Sequence, residues 1–190
     1  MADEPLKDAE GQDEKEEAQE KEPPKSFLQD CLDQVKGHYL AGKKLFAVSG
    51  DHTQILDWKD MGLKLTLPSG SLSPGDSCEV ATAVFVAGKY QFPDGANVVS
   101  AIYSIGITKP LLKPVGVWMQ HCVALQPHHN TGYLGFAIAS ITNHPEPPYP
   151  FKLVPGGKFF AENEDGCYSY GETGLNLICI VKMPHVITYH

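Results

Sequence analysis

Residues 63–67 read LKLTL, apolar and polar in strict alternation. That is the period of a strand covered on one face, and it predicts Leu63, Leu65 and Leu67 toward a core with Lys64 and Thr66 toward water. The next nine residues, PSGSLSPGD, hold two turn signals. Pro68-Ser69-Gly70 suits the later positions of a type I turn, and Pro74-Gly75 suits the centre of a type II turn, where glycine tolerates positive φ. A second run, residues 78–86, is apolar on both faces apart from Glu79, which predicts a strand lying centrally in its sheet. Further short runs predict strands at 44–49, 54–58, 97–105, 115–123, 133–140, 151–154 and 177–182, with Gly, Pro, Asn and Asp clusters between them. No second ten-residue helical pattern interrupts the series, which argues against an α/β fold and for an all-β antiparallel sandwich.

Ahead of the strands the period changes. Phe27, Leu28, Cys31, Leu32 and Val35 recur at helical spacing, and Ser26 with Gln29 has the form of a capping box. A short amphipathic helix through about Lys36, stopped near Gly37, is predicted; its stripe docks on the domain or on a partner, docking in cis being the commoner outcome. Residues 1–25 hold ten Asp/Glu, four Lys and almost no large apolar residue. Such a composition buries too little surface to offset the entropy of ordering, so a disordered acidic tail is expected. The expected organisation is a tail over 1–25, helix and linker over 26–42, a β-sandwich over 43–183 and a C-terminal tail over 184–190.

The acidic segment accounts for −6 of the formal net charge of −8, so the rest of the chain is close to neutral. The chain has no arginine. Without the planar, bidentate donor most used on phosphates and base edges, a near-neutral domain is not expected to bind nucleic acid. The five cysteines, Cys31, Cys78, Cys122, Cys167 and Cys179, are odd in number and widely spaced. The acidic N-terminus lacks the apolar stretch of a secretory signal, so reduced thiols and a cytoplasmic location are expected. No run of about 18 apolar residues occurs, and no direct membrane insertion is expected.

Three clusters invite chemistry. His128 and His129 stand together in QPHHNTG, but no Cys-x-x-Cys or His-x-x-x-His companion lies nearby to complete a metal set. His121 and Cys122 are adjacent in VGVWMQHCVAL, yet successive strand residues point to opposite faces and do not form a nucleophile–base pair. Glu162, Glu164 and Asp165 form an acidic loop without the ligand alternation of a calcium site. Phosphate loops, dinucleotide fingerprints and the nucleophile elbow are absent from the sequence. No catalytic residue, cofactor or metal site is therefore assigned and no enzyme activity is expected. The alternative is a small cysteine/histidine-dependent hydrolase or a self-cleaving domain using Cys122, His121 or the His128-His129 loop.

Taken in order, GLKLTLPSGSLSPGDSCEV, VVSAIYSIG and LLKPVGVWMQHCVAL resemble the ZU-five domain family of zonula occludens scaffolds and Unc-five netrin receptors. Pro68, Gly70, Ser100, Pro114, Val115, His121 and Cys122 match the family's turn, mid-domain serine, Pro-Val strand and His-Cys pair. Ser69 and Ser71 depart from it, standing where proline and alanine are usual. The likeness spans roughly 54–140 and, more loosely, reaches about Lys182. It implies a β-sandwich that serves as a non-catalytic docking module in signalling or cytoskeletal coupling, with protein partners and no cofactor. Some relatives cleave themselves at a His-Phe-Ser sequence; here the late strand carries Gly174-Leu175-Asn176-Leu177, so self-cleavage is not expected.

Overall fold

In a computed structural model, residues 26–125, 130–160, 165–171 and 174–189 are described. The acidic tail expected over 1–25 lies outside them. The predicted helix is present as α1 (Phe27–Gln34), where the Ser26 hydroxyl accepts the Gln29 N–H at 3.3 Å. Only half of the capping box forms, because the Gln29 side chain donates to Asp33 instead of reaching back. The helix ends before Lys36: Val35 is already extended and its N–H closes on the Leu32 carbonyl.

The strands are β1 (His38–Ser49), β2 (Gln54–Trp58), β3 (Leu63–Leu67), β4 (Ser77–Gly88), β5 (Tyr90–Gln91), β6 (Asn97–Val98), β7 (Ile102–Ile107), β8 (Val115–Gln120), β9 (Leu134–Ser140), β10 (Tyr149–Pro150), β11 (Lys152–Val154), β12 (Lys158–Phe160), β13 (Asp165–Tyr170) and β14 (Asn176–Lys182). A seven-stranded sheet runs β1-β4-β7-β14-β9-β11, with β6 also on β14, and a five-stranded sheet runs β12-β13-β8-β3-β2. All pairs within these two sheets are antiparallel. β5 and β10 form a small parallel pair. The fold is therefore the expected all-β antiparallel sandwich with a short N-terminal helix.

Two cores explain the two kinds of strand pattern. Between the sheets, Leu63, Leu65 and Leu67 of β3 meet Val80, Val84, Ile105, Phe136, Ile178 and Ile180 of the larger sheet. The five-stranded sheet leaves its other face to water, and β3 accordingly alternates as predicted. The larger sheet is covered on both faces. Its outer side carries Ala81, Ala83, Phe85, Leu177, Cys179 and Val181 against Cys31, Leu32 and Val35 of the helix region and against Tyr149 and Phe151. This is why β4 and β14 read as continuous apolar runs, and it shows that the helix stripe docks in cis.

Several boundaries differ from the sequence reading. β1 begins at His38, inside the expected linker, and bulges lie near Leu40 and Gly42. The expected strand over 97–105 is split into β6 and β7, β8 stops at Gln120, and β12 and β13 form where no strand is expected, β13 opening at Asp165 of the acidic loop. Residues 183–189 run beside the segment that leads into β9, where Met183 and Ile187 donate to the Tyr133 and Gly132 carbonyls. Among the described residues no helix is long and apolar enough to cross a membrane.

Candidate interaction surface

The motif residues converge on backbone closure. In the first turn Ser71 N–H donates to the Pro68 carbonyl at 3.1 Å and Gly70 has φ +76°. Pro68 thus occupies the first position of a turn whose third residue has positive φ, which corrects the type I assignment. The second turn follows the reading: Asp76 N–H meets the Ser73 carbonyl at 3.0 Å around Pro74 and Gly75, whose φ is +76°. Ser69 and Ser71 are both used. Ser69 N–H donates to Thr53 and its carbonyl accepts from Lys113, while buried Ser71 donates to the Pro68 carbonyl and accepts from Leu112 N–H. Gly50 completes this knot. A Cβ there would stand 2.5 Å from the Ser73 carbonyl oxygen and 2.7 Å from that of Leu72, so only glycine fits.

Ser100 sits where the ladder breaks between β6 and β7. Its hydroxyl accepts the Ile180 N–H at 2.8 Å and donates to the Ala101 carbonyl at 2.7 Å, standing in for a missing strand partner. Ser100→Ala leaves a donor of the buried β14 without its acceptor and is expected to cost about 1–3 kcal/mol. Hydrogen exchange at the Ile180 amide, together with the denaturation midpoint, checks it: unchanged protection at that amide would refute the role.

Pro114 is exposed and Val115 is buried at the start of β8. His121 and Cys122 lie just past the end of β8 and not within a strand as read, so strand alternation does not separate them; His121 is buried, with Nδ1 accepting Val123 N–H at 3.3 Å, and Cys122 is exposed. Burial pushes the Cys31 thiol up to about 11, helped by Asp30, and burial raises the Cys78, Cys167 and Cys179 thiols as well. All five thiols are free. A maleimide at pH 7 is expected to modify Cys122 first and the buried Cys31, Cys78 and Cys179 only on unfolding, as peptide mapping of a time course would read. The His128-His129 pair, Glu162 and Glu164 lie outside the described residues; Asp165 opens β13 opposite Gln120. Among the described residues no three His, Cys, Asp or Glu side chains gather as metal ligands.

A cavity of about 240 Å³ lies beside the first turn, walled by Ile107, Pro110, Leu112, Pro114 and Tyr170. The lysines at its rim are engaged, Lys109 with Asp76 and Lys113 with the Ser69 carbonyl.

The feature the sequence reading did not single out is β1. It spans twelve residues and, among the described residues, pairs on one side only, with β4. The other outermost strands are short: β2 has five residues, β11 and β12 three each. Proteins usually blunt an edge by shortening it, because its free N–H and C=O groups template another strand. Here the long edge keeps apolar side chains in water: Tyr39 is 70% exposed, Leu40 42% and Leu45 38%, with Val86 of neighbouring β4 at 71%. Its charged residues are Lys43 and Lys44, and it has no Asp or Glu. The short alternating run at 44–49 signals part of this strand, but its length and open side are visible only from the pairing.

Neither a scan against protein-family models nor a search of the curated proteins finds a match to this chain.

Proposed function

We propose that this chain is a non-catalytic protein-interaction module of the ZU-five type, a cytoplasmic docking or scaffold domain for signalling or cytoskeletal coupling. The observation that carries the reading is the long edge strand β1, open on one side among the described residues, with Tyr39, Leu40 and Leu45 exposed on it. Backbone groups along such an edge give affinity and side-chain contacts give selectivity. The rest of the chain supplies rigidity, because β1 is clamped to β4, and β4 is packed on both faces. The sequence likeness supports the family, and the turn and Ser100 positions of the motif do structural work consistent with a shared scaffold. Five free thiols favour a reducing compartment.

The test compares capture from cytosolic extract by the intact chain and by Tyr39→Ser/Leu45→Ser. Both positions are exposed, so the melting temperature should not move. Proteins retained by the first and lost by the second support the reading. Equal retention by both would place recognition elsewhere and overturn it.

A further inference from the structure

Resting on that docking reading, we infer that the occupant of β1 is an extended segment of another protein, with two consecutive acidic residues flanked by apolar, strand-favouring residues, added as a further strand of the seven-stranded sheet.

The edge is basic on an acidic chain. Between His38 and Ser49 the charged residues are Lys43 and Lys44, while the chain as a whole carries −8. Among the described residues neither lysine has an ion pair, whereas Lys36 pairs with Glu146 and Lys109 with Asp76. Lys44 lies over the Phe46 ring, 4.8 Å from its centroid. On β4 the facing residues are Ala83 and Thr82, both uncharged. Burial alternates from Gly42 to Ser49, so the two lysines project to opposite faces of the sheet. Their complement on an added strand is therefore two acids in succession, one per face. Cross-strand pairs of opposite charge stabilise a ladder and like charges directly opposite destabilise it.

A second copy of the chain meets this requirement poorly. Pairing two β1 strands along their full length sets Lys43 of one against Lys44 of the other. Centring the pair on Phe46 sets both lysines against Ser49 and Val48, again without an acid. The chain's own residues 1–25 are rich in acid but include only Met1 and Leu6 as large apolar residues, so they offer little to Tyr39, Leu40 and Leu45.

The experiment uses the full isotope-labelled chain and a fluorescent twelve-residue peptide with two central glutamates flanked by alternating valine and threonine. The control carries two lysines in place of the glutamates. The acidic peptide should bind, bind less tightly as salt rises, and shift amide signals concentrated in β1; the lysine peptide should not bind. Lys43→Glu/Lys44→Glu should reverse the preference, weakening the acidic peptide roughly tenfold or more as two favourable cross-strand charge pairs become repulsive. Equal binding of both peptides, indifference to the double substitution, or shifts mapped away from β1 would overturn the assignment. So would protection of β1 amides in the free chain that the double substitution removes; its dependence on protein concentration tells a second copy from the chain's own acidic segment. If the acidic peptide fails while capture from extract still needs Tyr39 and Leu45, only the acidic assignment falls. If capture is indifferent to those residues, the docking reading falls with it.

Discussion

Phe136→Ala is expected to lower the stability of the folded chain by about 3–5 kcal/mol, as truncation of a buried aromatic usually does. That is a large share of the roughly 5–15 kcal/mol that holds a domain together. Phe136 is fully buried on β9, and its ring is what the two sheets share. It stacks on Phe159 of β12 with centroids 5.3 Å apart and meets Tyr168 of β13 at 5.2 Å. Its space is prepared by missing side chains. A Cβ on Gly157 would come within 2.7 Å of the Phe136 ring, and one on Gly166 within 3.0 Å. Removing the ring leaves a hole lined partly by backbone, which cannot swing in to fill it, so the cost should fall in the upper part of the range. Urea denaturation followed by tryptophan fluorescence reads the effect as a lower midpoint at an unchanged slope. Phe160→Ala, on the solvent face where the ring stacks on Trp118 at 5.5 Å, should lose no more than about 1.5 kcal/mol. Equal losses at the two positions would mean that Phe136 does not join the sheets.

The same packing explains what was legible in the sequence. Strands whose buried positions hold leucine, valine or isoleucine announce themselves, and β2, β3, β4, β9 and β14 were placed from their pattern to within a few residues. β13 was not, because one of its inward positions is Gly166, which has no side chain for a hydrophobic period to register, although that absence makes room for Phe136. β12 is three residues long, too short for its period to mark a strand at Lys158–Phe160. The early part of β1 was lost in the same way. Bulges break its period of two, and its inward position at Gly42 is empty because the Trp58 and Met61 side chains lie about 3.0–3.1 Å from where a Cβ would be. Ser100 was picked out only by resemblance, and its role as acceptor for the Ile180 N–H belongs to a contact 80 residues away in sequence. The open side of β1 is beyond any local pattern, since an edge is defined by how strands distant in sequence pair among the described residues.

Leu65→Ala should cost about 2–5 kcal/mol, and its neighbour Lys64→Ala only about 0.5–1 kcal/mol. The contrast tests the inward–outward alternation of β3. Leu65 is 1% exposed at the middle of β3, flanked by Leu56 of β2 and Val117 of β8 in register, and it packs in the core between the sheets. Because β3 is held by strands on both sides, its backbone has little freedom to close a cavity, which again favours a high cost. Lys64 points the other way, its ammonium 4.5 Å from the Trp118 ring centroid, and that cation–π contact is why its truncation should be measurable instead of silent. A Lys64→Met substitution keeps the stem over the ring and drops the charge, so its loss relative to wild type isolates the electrostatic part. Thermal and urea denaturation of the three variants settle the matter. Comparable losses for Leu65→Ala and Lys64→Ala would place the wrong face of β3 against the core, and with it the register of the five-stranded sheet.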